Sequence, residues 1–144
     1  ANFEYNLPGS PYGSLTELNF STYLYHYGDD AYFSHNKTIV IARAGLYLVF
    51  GGYQLDTAWF DAGDNVSLEI RGPNIPSGNY QNYFHIPGSV YQIFYIHIGP
   101  VLFYMATDDV FKMVTTLTTY STSTWTVTTD STHVGVIRVG GPHT

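Results

Sequence analysis

The chain has 144 residues, of which 44% are hydrophobic and only 11% are charged. This length fits one domain that can bury a core, and the hydrophobic share excludes a disordered protein. Five basic residues against eleven acidic ones give a formal net charge of −6, so the basic surface that nucleic-acid binding requires is missing. The absence of cysteine excludes disulfide scaffolds, zinc–thiolate sites and cysteine nucleophiles.

The chain begins with a stretch rich in proline and glycine, and residues 1–14 are predicted to form an arm or linker ahead of one domain over residues 15–144. Short apolar runs separated by turn residues follow, at 15–25, 31–41, 45–55, 66–71, 83–98, 101–105, 110–117 and 134–139. No apolar run reaches the ~18 residues of a membrane span, so we expect no membrane insertion.

The apolar runs predict strands rather than helices. They are dominated by β-branched and aromatic residues and show no sustained helical period. Residues 45–55 illustrate the alternation, with Leu46, Leu48 and Phe50 on one face and Tyr47 and Val49 on the other. About eight to ten short strands with no helix between them indicate a β-sandwich or barrel.

Residues 115–132 are unusual because ten of them are threonine. One interpretation is a disordered linker. The alternation of Thr124, Thr126 and Thr128 with Trp125 and Val127 favours an extended hairpin with one polar face.

The order of several motifs resembles the C1q-like head domain of the C1q/tumour-necrosis-factor (TNF) superfamily, over about residues 15–140. The motifs are a Gly-x-Tyr strand at 45–49, a strand with a basic end at 66–72, paired apolar strands at 99–105 and 108–113, and a final Ser-x-x-Gly-aliphatic strand at 131–137. The resemblance implies an all-β, ten-stranded jelly-roll sandwich whose subunits pack side by side as a compact homotrimer.

The resemblance also favours particular aromatic side chains for the trimer contact, because they lie on strands that line the inner sheet in that family. The six positions are Tyr23, Tyr25, Tyr47, Phe103, Tyr104 and Phe111. Aromatic residues suit a subunit interface, since a tyrosine buries its ring while its hydroxyl reaches a polar partner. The alternative is that these rings are ordinary core within one subunit.

Two kinds of candidate ligand site stand out. Trp59 and Phe60 resemble loop aromatics beside a turn, and they and Trp125 are candidates for binding a sugar ring or an apolar partner. The acidic turns offer hard oxygen ligands of the kind that calcium prefers, although Asp and Asn also favour turns for local reasons. The metal candidates are Asp61, Asp64, Asn65, Asp108 and Asp109; no other cofactor is expected.

The chain carries no phosphate-binding glycine loop and no Gly-x-Ser-x-Gly motif, and we predict no catalytic residues. The leading hypothesis is a non-enzymatic trimeric head at the tip of a fibre or filament on a virion, spore or cell surface, outside the cytoplasm, which attaches to a receptor protein or a glycan. A phage or bacterial source is favoured. The alternatives are a monomeric carbohydrate-binding sandwich, a jelly-roll capsid or decoration protein, and a small β-barrel enzyme with clustered histidines.

Overall fold

The computed structural model describes residues 4–8, 13–20, 28–35, 37–75, 81–86, 90–119, 124–128 and 131–141. Within these residues the secondary structure is almost entirely strand. The strands are β1 (Glu4–Pro8), β2 (Ser14–Glu17), β3 (Ala31–Ser34), β4 (Thr38–Ile41), β5 (Gly45–Phe60), β6 (Asn65–Arg71), β7 (Gln81–His85), β8 (Val90–Met105), β9 (Val110–Thr118), β10 (Thr124–Thr128) and β11 (His133–Gly140). In the described part of the chain, no helix has the length and apolar character needed to span a membrane.

Two antiparallel sheets form the body of the fold. The six-stranded sheet has the order β3-β4-β9-β6-β7, and β2 also pairs with β9. Strands β2 and β4 lie along different parts of the same edge of β9, since β2 pairs with Thr115 and its neighbours while Ile39 pairs with Phe111. The three-stranded sheet has the order β11-β5-β8.

The core lies between these sheets and takes alternate residues from each. Tyr47, Val49 and Tyr53 of β5 are fully buried, as are Leu68 and Ile70 of β6 on the other side. This pairing of inner faces is the usual architecture of a β-sandwich. The predicted all-β class and the faces predicted for residues 45–55 are confirmed. The strands differ from the expectation in length, because β5 and β8 each run for 16 residues.

Part of the N-terminal segment is a strand. Strand β1 pairs antiparallel with β10, with Leu7 opposite Trp125, and both Leu7 and Val127 are buried. The strand predicted in the threonine-rich segment is therefore present. A local hairpin would pair it with β9, whereas its partner is β1. Burial of these apolar side chains between distant segments stabilises this pairing.

A hydrogen-bonded pair of side chains links the two sheets through the core. The Tyr53 hydroxyl of β5 lies 2.7 Å from Thr115 Oγ1 of β9, and that oxygen donates to the Ser67 carbonyl at 2.8 Å. Tyr53 and Thr115 are both fully buried.

We expect Tyr53→Phe to lower the free energy of unfolding by about 1 kcal/mol, because a buried hydrogen bond is lost while the ring remains. Urea unfolding measures this, and an effect no larger than that of Tyr83→Phe, on exposed β7, would contradict it.

Candidate self-association face

The three-stranded sheet has a second face that points away from the core and carries large apolar side chains. We call it the outer face; it consists of Leu46, Leu48, Phe50, Tyr95, His97, Leu102, Tyr104, His133 and Ile137. Leu48 of β5 pairs with Leu102 on one side and Ile137 on the other, and Leu46 pairs with Tyr104. Side chains at paired positions point the same way, so the three strands together build one apolar surface.

These side chains are unusually accessible for their type. Leu102 and Tyr104 are each 54% exposed, and Tyr95 and Ile137 are each 49% exposed. An antiparallel sheet with one face on the core normally presents polar residues on its other face. A contiguous exposed apolar surface marks a site of contact with another molecule.

A bulge in β8 brings both halves of that strand onto the outer face. Ile98 pairs with Gly51 and Val101 pairs with Val49, so β8 has one more residue than β5 between these pairs. The extra residue falls at Gly99 and Pro100, and Gly99 has φ +88°, a backbone conformation that favours glycine. Strict alternation would have sent Tyr95 and Leu102 to opposite faces, whereas the bulge places both outward.

One end of the outer face holds a stack of aromatic rings. The ring centroids of His97 and His133 are 5.6 Å apart, and Tyr95 lies 5.9 Å from His97 and 6.3 Å from His133. The Tyr95 hydroxyl and His133 Nε2 are 3.5 Å apart. Burial, and then the neighbouring His97, lower the pKa of His133.

Gly135 makes room for another ring of this face. A Cβ atom at this position would overlap Cζ of Phe50, so the Phe50 ring covers the glycine backbone. Phe50 in turn lies 6.3 Å from the His97 ring, centroid to centroid. The glycine therefore positions the aromatic part of the outer face between β5 and β11.

The aromatic residues predicted at the trimer contact divide into three groups. Tyr47, Phe103 and Phe111 point into the core, where their own chain covers them. The Tyr47 hydroxyl donates to the carbonyls of Asp30 and Arg43. These three side chains lie on the inward side of their strands, so their position is that of ordinary core within one subunit.

Tyr104 is the predicted contact residue that lies on the outer face, and Tyr23 and Tyr25 lie outside the described residues. Sequence reasoning passed over Leu102 and Ile137, although both stand in alternating apolar strands. The signal that marks them is the excess of apolar residues on both faces of the same strands.

The aromatic residues predicted to bind a ligand lie in strands. Trp59 and Phe60 are the last residues of β5 and pair with Tyr91 and Val90, which corrects their expected place in a loop. Trp125 lies in β10. Binding of a sugar or an apolar partner by these residues stays a prediction.

The acidic turn after β5 uses its side chains locally. Asp64 is buried, and its Oδ2 accepts a hydrogen bond from the Asp61 backbone N–H at 3.0 Å. Its Oδ1 is buried without a hydrogen-bond partner. Asn65 Oδ1 lies 2.7 Å from Nδ1 of His85.

The second acidic turn, between β8 and β9, is capped in a similar way. Asp109 accepts from the Ala106 backbone N–H at 2.8 Å and from Asn74 Nδ2 at 2.6 Å, and Asp108 has φ +72°. Among the described residues no group of three or more His, Asp or Glu side chains is placed to hold a metal. Calcium binding at either turn stays a prediction; thermal unfolding with calcium and with EDTA tests it, since a bound cation raises the midpoint.

A shallow groove of about 430 Å³ lies on the six-stranded sheet. Its charged side chains are already paired, because Lys112 donates to Glu17 at 2.9 Å and Arg71 pairs with Glu69. Because each charged side chain of the groove is paired within the chain, none of them is left to bind a charged ligand. The outer face is therefore the stronger candidate for a contact surface.

Comparison with solved structures places the fold. The chain is similar to murine APRIL, with a TM-score of 0.56 and 12% sequence identity over 96% of this chain and 100% of that one. It is also similar to the Eiger TNF from S. frugiperda, with a TM-score of 0.49 and 11% identity over 99% of this chain and 96% of that one. No family model matches the sequence, and no curated protein matches it. The likeness to APRIL, a TNF-family structure, shows that the fold is a TNF-like jelly-roll sandwich.

Proposed function

We propose that this chain is a non-enzymatic head domain that forms a homotrimer through the outer face. The observation that carries the proposal is the exposure of Leu102, Tyr104 and Ile137 on one continuous sheet surface. Covering side chains of this size removes apolar area from water, which is the main favourable contribution to association. The TNF-like fold supports a threefold arrangement, which closes on itself and leaves no such face exposed.

The charge distribution supports the same proposal. Arg138 is the charged residue that β11 contributes, and its guanidinium donates two hydrogen bonds to the Ala44 carbonyl, at 3.1 and 2.9 Å. These hydrogen bonds keep the Arg138 guanidinium at the end of the sheet. The neighbouring side chains of Ile137 and Leu48 therefore lie in an uncharged patch. Interface centres are depleted of charged residues in the same way.

We further propose that the trimer is an extracellular or particle-surface head that attaches a fibre or filament to a receptor protein or a glycan, on a virion, spore or cell of bacterial or viral origin. Its support is compositional: 14 tyrosines, few charges and no cysteine suit an exposed, rigid β-structure. A glycan array and a panel of cell-surface proteins, probed with the trimer, test attachment. Binding to none of them would contradict this part.

Sedimentation velocity and native mass spectrometry test the assembly. We expect one species of three times 16.1 kDa. A monomer would contradict the proposal and favour the carbohydrate-binding sandwich, and an open-ended lattice would favour the capsid or decoration protein. Each outcome differs in mass, so a single experiment separates the three hypotheses.

A further inference from the structure

We propose that His97 and His133 make association through the outer face depend on pH, so that the assembly holds at neutral pH and separates in acid. This inference rests on the proposed function, since it concerns the regulation of the same surface. It starts from an unusual placement: two titratable side chains stand together within an otherwise apolar face.

The register of the sheet explains why the two rings meet. His133 of β11 and His97 of β8 both pair with Gly52 of β5, from opposite sides. Glycine has no side chain to fill the space above the middle strand, so the rings of the two outer strands lean over it. They reach a centroid distance of 5.6 Å with an interplanar angle of 25°.

Among the described residues, the surroundings of the two histidines provide no counter-charge. The middle strand contributes Phe50, Gly52 and Gln54 around the pair, and β8 contributes the Tyr95 phenol. From β7, the Asn82 side-chain amide donates to the His97 backbone carbonyl at 2.5 Å. In the described part of the chain neither histidine forms an ion pair with an acid.

Arg138 is the charged side chain of the strand that begins with His133. It lies at the opposite end of β11, where Tyr47 is its partner in the ladder and its guanidinium is held by Ala44. A proton gained by one histidine therefore faces two titratable groups among the described residues. They are the other imidazole and the phenol of Tyr95. Two imidazolium ions at this distance repel each other, and burial beneath a second subunit strengthens the penalty.

The sign of the effect follows from linkage. Burial and His97 already lower the pKa of His133 in the single chain, and a covering subunit lowers it further because it removes more water. The assembly therefore binds fewer protons than the separated chains as the pH falls through the ordinary histidine range. Each histidine that takes up a proton on separation raises the dissociation constant by about tenfold per pH unit below its free pKa.

The test compares the intact chain with the double variant His97→Gln, His133→Gln, by sedimentation velocity between about pH 7.5 and pH 5. We expect the dissociation constant of the intact chain to rise by at least about tenfold on acidification, and that of the double variant to stay constant. Glutamine keeps a polar side chain of similar reach but does not titrate. The matched control is His85→Gln, because His85 is exposed on β7 in the other sheet; it should behave as the intact chain does.

A second readout does not depend on any variant associating. In a nuclear magnetic resonance titration of the intact chain, the imidazole protons of His133 should titrate with a pKa below the ordinary histidine value. An ordinary pKa for His133, or equal loss of association in the intact chain and the double variant, would overturn the inference and leave the proposed trimer standing. A chain that is already monomeric at neutral pH would overturn both.

Discussion

Replacing Leu102 with aspartate should separate the proposed trimer into monomers that remain folded. Leu102 of β8 pairs with Leu48 of the middle strand, and it is 54% exposed in the single chain. Truncating a hot-spot side chain of an interface costs about 2 kcal/mol or more of binding free energy, and a carboxylate buried there without a partner costs about 3 kcal/mol or more. The same change should lower the stability of the monomer by less than about 1 kcal/mol, because the side chain already faces water.

Sedimentation velocity measures the first effect and urea unfolding the second. The matched control is Tyr83→Asp, since Tyr83 is 58% exposed on β7 of the six-stranded sheet, away from the outer face. We expect the control to remain trimeric. Two trimeric variants would show that the outer face is not the contact, whereas an unfolded Leu102 variant would show that this side chain belongs to the core.

Replacing Phe111 with alanine should have the largest effect on the stability of the chain itself. Phe111 of β9 is 1% exposed and meets Phe103 of β8 edge-on, with ring centroids 6.2 Å apart and an interplanar angle of 80°. The two rings join the six-stranded sheet to the three-stranded sheet. The substitution leaves a cavity that the surrounding strands cannot fill, so we expect a loss of about 4 kcal/mol in the free energy of unfolding.

Chemical denaturation checks this value, and Phe111→Leu is the matched variant. Leucine fills most of the volume, so its cost should be about 1 kcal/mol. If the alanine variant lost no more than the leucine variant, the ring would not be part of the packed core.

The sequence was informative where local alternation controls the structure. In β5 it predicted both faces, and the turn at residues 61–65 follows the strand as expected. These features depend on neighbouring residues, since side chains alternate along a strand and Asp, Asn and Gly favour turns.

The sequence did not predict strand pairing between distant segments, nor the faces of a strand that contains a bulge. The pairing of β1 with β10 joins residues that are 116 to 124 positions apart in the chain, and alternation in either strand does not reveal the partner. The bulge at Gly99 changes which side chains of β8 face outward, and its position depends on the opposite strand. The resemblance favours Tyr47, Phe103 and Phe111 for a subunit contact because it indicates the strands and not the face of each strand, and their side chains lie on the buried side.

The bulge at Gly99 and Pro100 has a consequence for how this domain can vary. Because β8 has one more residue than β5 at this point, deleting one residue there would leave a regular ladder in which Leu102 and Tyr104 still face outward and Phe103 and Met105 still face inward. Within the regular ladder on either side of the bulge, no extra residue is present to absorb such a change of phase, and a deletion would exchange the two surfaces of the strand. The loss of one residue should therefore be better tolerated at the bulge than elsewhere in β8.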